Sequence, residues 1–275
     1  MYKILKAEKL ADKIYLMDVE APRVAKHCEP GQFVIVKMDD KGERIPLTIC
    51  DYDREAGTIT IVFQVVGAST QRMTGLEVGD SFRDFVGPLG RPTDLSEYKN
   101  IVLVGGGIGS AVIYPQAKHL AALGNPATVI VGARNKELIM YEDEFRAAAK
   151  DIRIATDDGS YGVKGFVTDV LKEILEKGEA DCVMAVGPMP MMRAVSELTR
   201  AYGVKTVVSM NPLMVDGTGM CGCCRVTVGG KTRYACVDGP EFDGHEIDWS
   251  EAMTRLTAYK QQEKEHLCRL TGEKR

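Results

Sequence analysis

The sequence predicts three parts in order: an antiparallel β-barrel, a doubly wound α/β half, and a small cysteine-bearing loop and hairpin. Three observations predict this. The first third reads as short alternating runs separated by turn clusters such as Pro30-Gly31 and residues 55–57. From residue 101 the pattern changes to apolar strands alternating with helical stretches, opening on a run of glycines. Finally, four of the eight cysteines, Cys221, Cys223, Cys224 and Cys236, fall within sixteen residues of one another.

Bulk properties narrow the classes. At 275 residues the chain is long enough for two domains and an appendage. A net charge of −4, with 27% charged residues, points to neither nucleic acid nor an anionic membrane. The first twenty residues carry no basic-then-apolar pattern, and the longest apolar run, 101–115, is interrupted by four glycines. Neither a secretory signal nor a membrane span is expected. Clustered cysteines without a secretion signal favour a metal or redox role in a reducing, cytoplasmic setting.

Residues 1–97 supply expected strands at 3–10, 14–19, 32–38, 47–51 and 58–65, the makings of a small barrel. The stretch 67–73, with Gly67, Ser69 and Thr70, reads as a helix N-terminus. Its free amides suit a pyrophosphate, although a plain N-cap has the same signature.

Residues 98–210 supply strands at 101–104, 127–131, 152–155, 182–186 and 206–209, with helices at 141–150, 163–177 and 189–202. Such alternation predicts a parallel sheet covered on both faces. The turn Gly105-Gly106-Gly107-Ile108-Gly109-Ser110 leads into a further helix through Leu123 and lets a dinucleotide pyrophosphate approach it. Arg134 stands after the second strand, where an acidic residue would read a ribose. It suits a 2′-phosphate or packing on adenine, which leaves NAD versus NADP open. Asp157 and the pair Gly187-Pro188 also follow strands, where open α/β sheets bind ligands. Met191 and Met192 read as core filler.

Residues 211–246 carry the densest chemistry. Plant-type two-iron sites use C-x4-C-x2-C with a distant fourth cysteine. Cys221 and Cys224 give the C-x2-C and Cys236 the distant ligand, while the first position falls on Asp216. The spacing therefore predicts a [2Fe-2S] cluster on Asp216, Cys221, Cys224 and Cys236, with Cys223 a bystander. Asp216-Gly217 is also a good turn pair whose carboxylate would cap its own backbone. A hairpin, strands 225–228 and 231–235 around Gly229-Gly230, carries Cys236 back to the loop. A zinc-stabilised nucleotide-binding module is the non-redox alternative. Residues 247–275 read as a charged helix over 248–274 containing Cys268, which either packs on its own chain or reaches a partner.

Two sets of motifs carry a resemblance. Arg44-Ile45-Pro46-Leu47-Thr48-Ile49, the turn at Gly67 and Gly87-Pro88-Leu89-Gly90 resemble the FAD domain of the ferredoxin–NADP reductase superfamily. That likeness implies Arg44 at the FAD pyrophosphate and Thr48 at the flavin N5 edge beside Pro46 and Leu47. Arg44 stands one residue farther from Thr48 than the family pattern asks. Val186 replaces the cysteine of the family's Cys-Gly-Pro at the nicotinamide.

Across nearly the whole chain, the order of parts resembles the electron-transfer subunit of dihydroorotate dehydrogenase and its relatives. The aspartate-first loop Met-Val-Asp-Gly-Thr-Gly-Met-Cys and Arg-Ile-Pro-Leu-Thr resemble the branch of NADH-dependent reduced ferredoxin:NADP oxidoreductases and sulfide dehydrogenases. The resemblance implies FAD, NAD(H) and a [2Fe-2S] cluster, and a larger partner subunit bearing FAD and [4Fe-4S] clusters. It implies ferredoxin reached through that partner, and electron bifurcation. A dihydroorotate or sulfide dehydrogenase subunit is the alternative within the family. No nucleophile set is apparent, and His27, His119, His245 and His266 are scattered. Thr48 is the one side chain expected to act at the reacting ring.

Overall fold

The computed structural model describes residues 1–271. Its first part comprises β1 (Tyr2–Ala11), β2 (Ile14–Glu20), α1 (Pro22–His27), β3 (Phe33–Lys37), β4 (Ile45–Asp53), β5 (Thr58–Gln64), α2 (Ala68–Met73), β6 (Ser81–Phe82) and β7 (Asp84–Leu89). The strands form one antiparallel sheet in the order β6-β1-β2-β5-β4-β3-β7. Its two edge strands are consecutive in the chain, so the sheet curls into a near-closed barrel and hides its edges. Ile4, Met17, Val19, Val34, Val36, Ile59, Ile61, Phe63, Phe82 and Phe85 fill the interior. The period-2 alternation of these positions is what made most of the strands legible.

The second part comprises β8 (Ile101–Gly106), α3 (Gly109–Ala122), β9 (Thr128–Ala133), α4 (Glu142–Ala148), β10 (Asp151–Thr156), β11 (Val163–Lys164), α5 (Val167–Glu176), β12 (Cys182–Val186), α6 (Met189–Ala201) and β13 (Lys205–Ser209). Then follow β14 (Arg225–Val228), β15 (Lys231–Tyr234), α7 (Ala235–Asp238), β16 (Glu241–Asp243), α8 (Trp249–Arg255) and α9 (Lys260–Thr271). The sheet order is β11-β10-β9-β8-β12-β13-β16. Strands β8 to β13 pair in parallel and their continuous apolar runs are buried, as helices on both faces require. The chain winds outward in both directions from β8, which puts the topological switch point between β8 and β12.

Several elements differ from the expected ones. The helix expected from 163 starts at Val167, because Val163 and Lys164 pair with β10. The hairpin's second strand ends at Tyr234, and Ala235 opens the short α7. The strand β16 was hidden behind the turn signal Gly239-Pro240, and it pairs antiparallel with β13. The single tail helix is two helices, α8 and α9, separated by turns at residues 256–259 in which Thr257 N donates to Thr254 O and Ala258 N to Arg255 O. The Asp248 side chain caps α8 by accepting from Glu251 N at 2.9 Å. Helix α9 returns to the barrel beside α2, where His266 Nδ1 lies 3.7 Å from Glu43. Residues 272–274 of the expected tail helix lie outside the described residues.

Glu241 is the barrel–sheet junction's unusual feature. Both of its carboxylate oxygens are sealed from solvent without a hydrogen-bond partner among the described residues. A Cβ on Gly31 would sit 3.0 Å from Glu241 Oε2 and 3.0 Å from Thr93 Oγ1. Burial pushes this carboxyl from its ordinary 4.5 up to about 8. Between those values the folded chain keeps a proton that the unfolded chain has released, so rising pH favours the unfolded chain. Thermal melts from pH 5 to 8 should therefore show wild-type stability falling relative to Glu241→Gln, by up to about 1.4 kcal/mol per pH unit. Parallel curves for the two proteins would contradict this.

Candidate functional site

The glycine turn after β8 is built by close backbone approach. A Cβ on Gly109 would meet Val186 O at 2.0 Å, and one on Gly105 would meet Ser110 Cα at 2.7 Å. Gly187 faces Gly106 O at 3.0 Å from its own Cβ position. Gly107, by contrast, takes φ +55° with open space around it. The β8–α3 and β12–α6 turns thus press together at the switch point, leaving Gly107 and the exposed Pro188 at the rim. Arg134 and Asp157 follow β9 and β10 at the same carboxyl edge, so the structure gathers the expected nucleotide-binding residues along it. The Ser110 hydroxyl is buried there without a partner. A backbone cradle with an orphaned hydroxyl fits a dinucleotide phosphate. Met191 covers Gly106 and Met192 is fully buried, both as core filling.

On the barrel, Thr48, Leu47 and Pro46 of β4 lie opposite Phe33, Val34 and Ile35 of β3. The β3 residues are buried whereas Pro46 to Thr48 are half-open, a ledge on which a flat ring can lie. At the start of α2, Thr70 Oγ1 accepts from Val66 N at 3.0 Å and Gly67 N at 3.1 Å, a plain cap. The Ser69 hydroxyl donates to the Glu43 carboxylate. A Cβ on Gly67 would meet nothing within 4 Å, so that side of the turn is open. Arg44 has partners of a different kind: Nε donates to Val215 O at 2.7 Å and Nη2 to Asp216 O at 3.2 Å.

Residues 211–224 loop out from β13, and the chain returns through the β14–β15 hairpin. Cys224 and Cys236 are buried with their sulfurs 3.2 Å apart. Asp216 and Cys221 form a second pair on the exposed side. Asp216 Oδ2 accepts from Cys221 N at 2.9 Å, and Oδ1 accepts from Thr218 N at 2.5 Å and Thr218 Oγ1 at 3.0 Å. The Thr218 amide foremost holds the Asp216 carboxyl below its usual range. Main-chain amides of Cys223 and Asp216 hold the Cys221 thiol below its ordinary value. Burial foremost pushes the Cys236 thiol up to about 12.

The donor set fits a two-iron cluster. The donors fall into two pairs, Asp216 with Cys221 and Cys224 with Cys236, an arrangement that would suit the two irons of such a cluster. The Asx-type cap and a ligand role both use the Asp216 carboxylate. Cys223 is not the bystander the spacing suggests: its thiol hydrogen-bonds with that of Cys221, and its carbonyl accepts from Arg255 Nη2 at 3.0 Å. Gly217, which the sequence marked only as a turn residue, takes φ +82° and presses on the barrel. Its Cβ position lies 2.7 Å from Ile35 Cδ1 and 2.8 Å from Leu89 Cδ1. Glu241 carried no signal in the sequence, since a glutamate in a short strand looks like any exposed position.

Comparisons with known proteins match these parts. The profile of the iron–sulfur cluster binding domain of dihydroorotate dehydrogenase B matches residues 211–248, and that of the oxidoreductase NAD-binding domain matches 103–197. An uncharacterised protein of Clostridium beijerinckii is 52% identical, over 96% of this chain and 92% of its own. A Thermotoga maritima homologue of the dihydroorotate dehydrogenase B (NAD(+)) electron transfer subunit is 45% identical, over 98% and 97%. The solved NADH-dependent reduced ferredoxin-NADP oxidoreductase, studied for flavin-based electron bifurcation, aligns with TM-score 0.93 at 45% identity over 98% of both chains. Phthalate dioxygenase reductase shares the fold, with TM-score 0.60 at 19% identity over 82% of this chain and 85% of its own.

The two glycines of the turn should respond oppositely to a methyl group. Gly109→Ala drives Cβ into Val186 O and should cost about 3 kcal/mol, with loss of nucleotide-dependent reduction. Gly107→Ala meets only the left-handed backbone penalty of about 1 kcal/mol. Thermal melts of both variants check this, and equal losses would contradict it.

Proposed function

The chain belongs to the family of dihydroorotate dehydrogenase B electron-transfer subunits and their homologues, and from that premise we propose that it passes electrons between NAD(H), FAD and a [2Fe-2S] cluster within an electron-bifurcating ferredoxin:NADP oxidoreductase. It is an electron-transfer subunit with an NAD-binding domain and an iron–sulfur domain. The observation that carries the finer reading is the 45% identity over 98% of both chains with the bifurcating oxidoreductase structure. FAD, when bound, converts the two electrons of a hydride into the single electrons a cluster accepts.

The chain's own contribution is placement. In this reading Pro46, Leu47 and Thr48 hold the flavin, with the Thr48 hydroxyl at its reacting edge, and Gly67, Ser69 and Thr70 turn toward its diphosphate. Gly105, Gly107, Gly109, Gly187 and Pro188 cradle the nicotinamide nucleotide, and Arg134 and Asp157 flank its adenosine end. Asp216, Cys221, Cys224 and Cys236 hold the cluster. Residues 1–97, 98–210 and 211–246 form the flavin, nucleotide and cluster domains, with β16 returning to the nucleotide sheet, and 247–275 the tail.

The partner proposed is a larger subunit with its own FAD and [4Fe-4S] clusters, through which ferredoxin is reached. Support for a covering partner comes from the apolar rim of the cluster loop: Leu213, Val215, Val237 and Met220, the last 89% exposed.

The purified chain should be reduced faster by NADH than by NADPH, by at least tenfold, about 1.4 kcal/mol. It should pass electrons to a dye but not to ferredoxin until the large subunit is added. Ferredoxin reduction by the chain alone would overturn the bifurcating assignment.

Ligation by Asp216 has its own test. Asp216→Cys should retain the cluster with altered EPR g-values, whereas Asp216→Ala should lose iron or release it about tenfold or more faster. Full iron and an unchanged spectrum in Asp216→Ala would leave the carboxylate as a turn cap.

A further inference from the structure

The guanidinium of Arg44 lies 171 and 172 residues in sequence from the groups it grips. It begins at the approach to β4, one residue before Ile45, yet its partners are the consecutive carbonyls of Val215 and Asp216. Two donors of one rigid fork on two adjacent acceptors define the orientation of that peptide as well as its position. A second contact holds the same turn from the other side. Gly217 at φ +82° lies against Ile35 of β3 and Leu89 of β7, where only a hydrogen fits. With its main chain fixed between Arg44 and the barrel wall, Asp216 turns its carboxylate toward Thr218 and Cys221.

We infer that Arg44 is a positioning residue for the cluster: anchored in the flavin barrel, it orients the Asp216 ligand and raises the cluster's reduction potential. This rests on the reading that Asp216, Cys221, Cys224 and Cys236 hold a [2Fe-2S] cluster. The cation acts on potential because reduction adds negative charge, which a nearby guanidinium stabilises. The fork acts on retention because a partner that orients a ligand strengthens the metal's hold. Arg44 therefore ties the first ligand to the ledge carrying Pro46, Leu47 and Thr48. The side chain that the resemblance assigns to a pyrophosphate acts on the cluster loop.

The test compares wild type, Arg44→Gln and Arg44→Lys as full chains loaded with FAD and iron. Four quantities are measured: FAD content, EPR g-values, the cluster midpoint potential, and the rate of iron release to a chelator. Arg44→Gln should keep its FAD, shift the midpoint negative, change the g-values, and release iron about tenfold faster. Arg44→Lys keeps the charge but not the fork. Its midpoint should return toward wild type while iron release stays faster.

Loss of FAD with an unchanged cluster spectrum would overturn the inference in favour of a pyrophosphate role. Four unchanged quantities would overturn it as well. If Arg44→Gln does not fold, Arg44→Lys decides alone, through faster iron release at full FAD or its absence. A wild-type chain without iron would fail the cluster reading itself, and the Arg44 inference with it. That failure is visible before any variant is compared.

Discussion

Cys224 and Cys236 are buried in the same apolar core as Phe33 and Ile35 of the barrel and Val102 and Val104 of the parallel sheet. On this shared core the arrangement of all three parts depends. A separate cluster domain on a tether would sample many distances to the flavin ledge, and transfer between cofactors needs one. Here Met214, Val226, Ile247 and Trp249 extend the core beneath the loop, so the cluster pair cannot shift without opening the junction. Polar contacts then register the parts along the seam. Arg91 N donates to Gly239 O at 2.6 Å, and Arg91 Nε to Val237 O at 3.2 Å. Lys118 Nζ lies 2.7 Å from Asp51 between α3 and β4. The last pair is partly exposed and contributes little stability, yet it specifies which faces meet.

The two halves of the donor set live in different surroundings. Cys224 and Cys236 are buried, while Asp216 and Cys221 face outward among main-chain amides. Oxygen is a harder donor than sulfur and is more readily protonated from a metal. The loop answers with three hydrogen bonds to the Asp216 carboxylate, which hold its carboxyl below the usual range. Other main-chain amides of the loop, those of Cys223 and Asp216, lower the neighbouring Cys221 thiol. A loop rich in glycine is the local condition for this, since turned-in amides need backbone angles that side chains resist.

Much of this was legible in the sequence because period and spacing are local. The glycine turn, the main strands of both sheets and the cysteine spacing all lie within windows of a few to sixteen residues. What was not legible depends on contacts across the chain. The partners of Arg44 are in the cluster loop, while its sequence neighbours suggested a flavin phosphate. Strand β16 exists because β13 has a free edge, and Glu241-Phe242-Asp243 has too little alternation to declare itself. Strands β6 and β11, two residues each, are likewise defined by their partners. The break between α8 and α9 follows from the surfaces each helix finds, Trp249 and Ala252 in the core and α9 beside α2.

The kind of catalysis explains where the chain places its special groups. Hydride and single-electron transfer need no nucleophile and no general base from the protein. Close backbone approach marks the turns at Gly109 against Val186 and at Gly217 against Ile35, as it also marks structural positions such as Gly162 against Ile154 and Gly244 against Ser196. Gly109 and Gly217 each hold a turn against a wall that cannot yield. In an enzyme whose chemistry belongs to its cofactors, substitutions at these walls act on distance and orientation, and through them on every electron the chain carries.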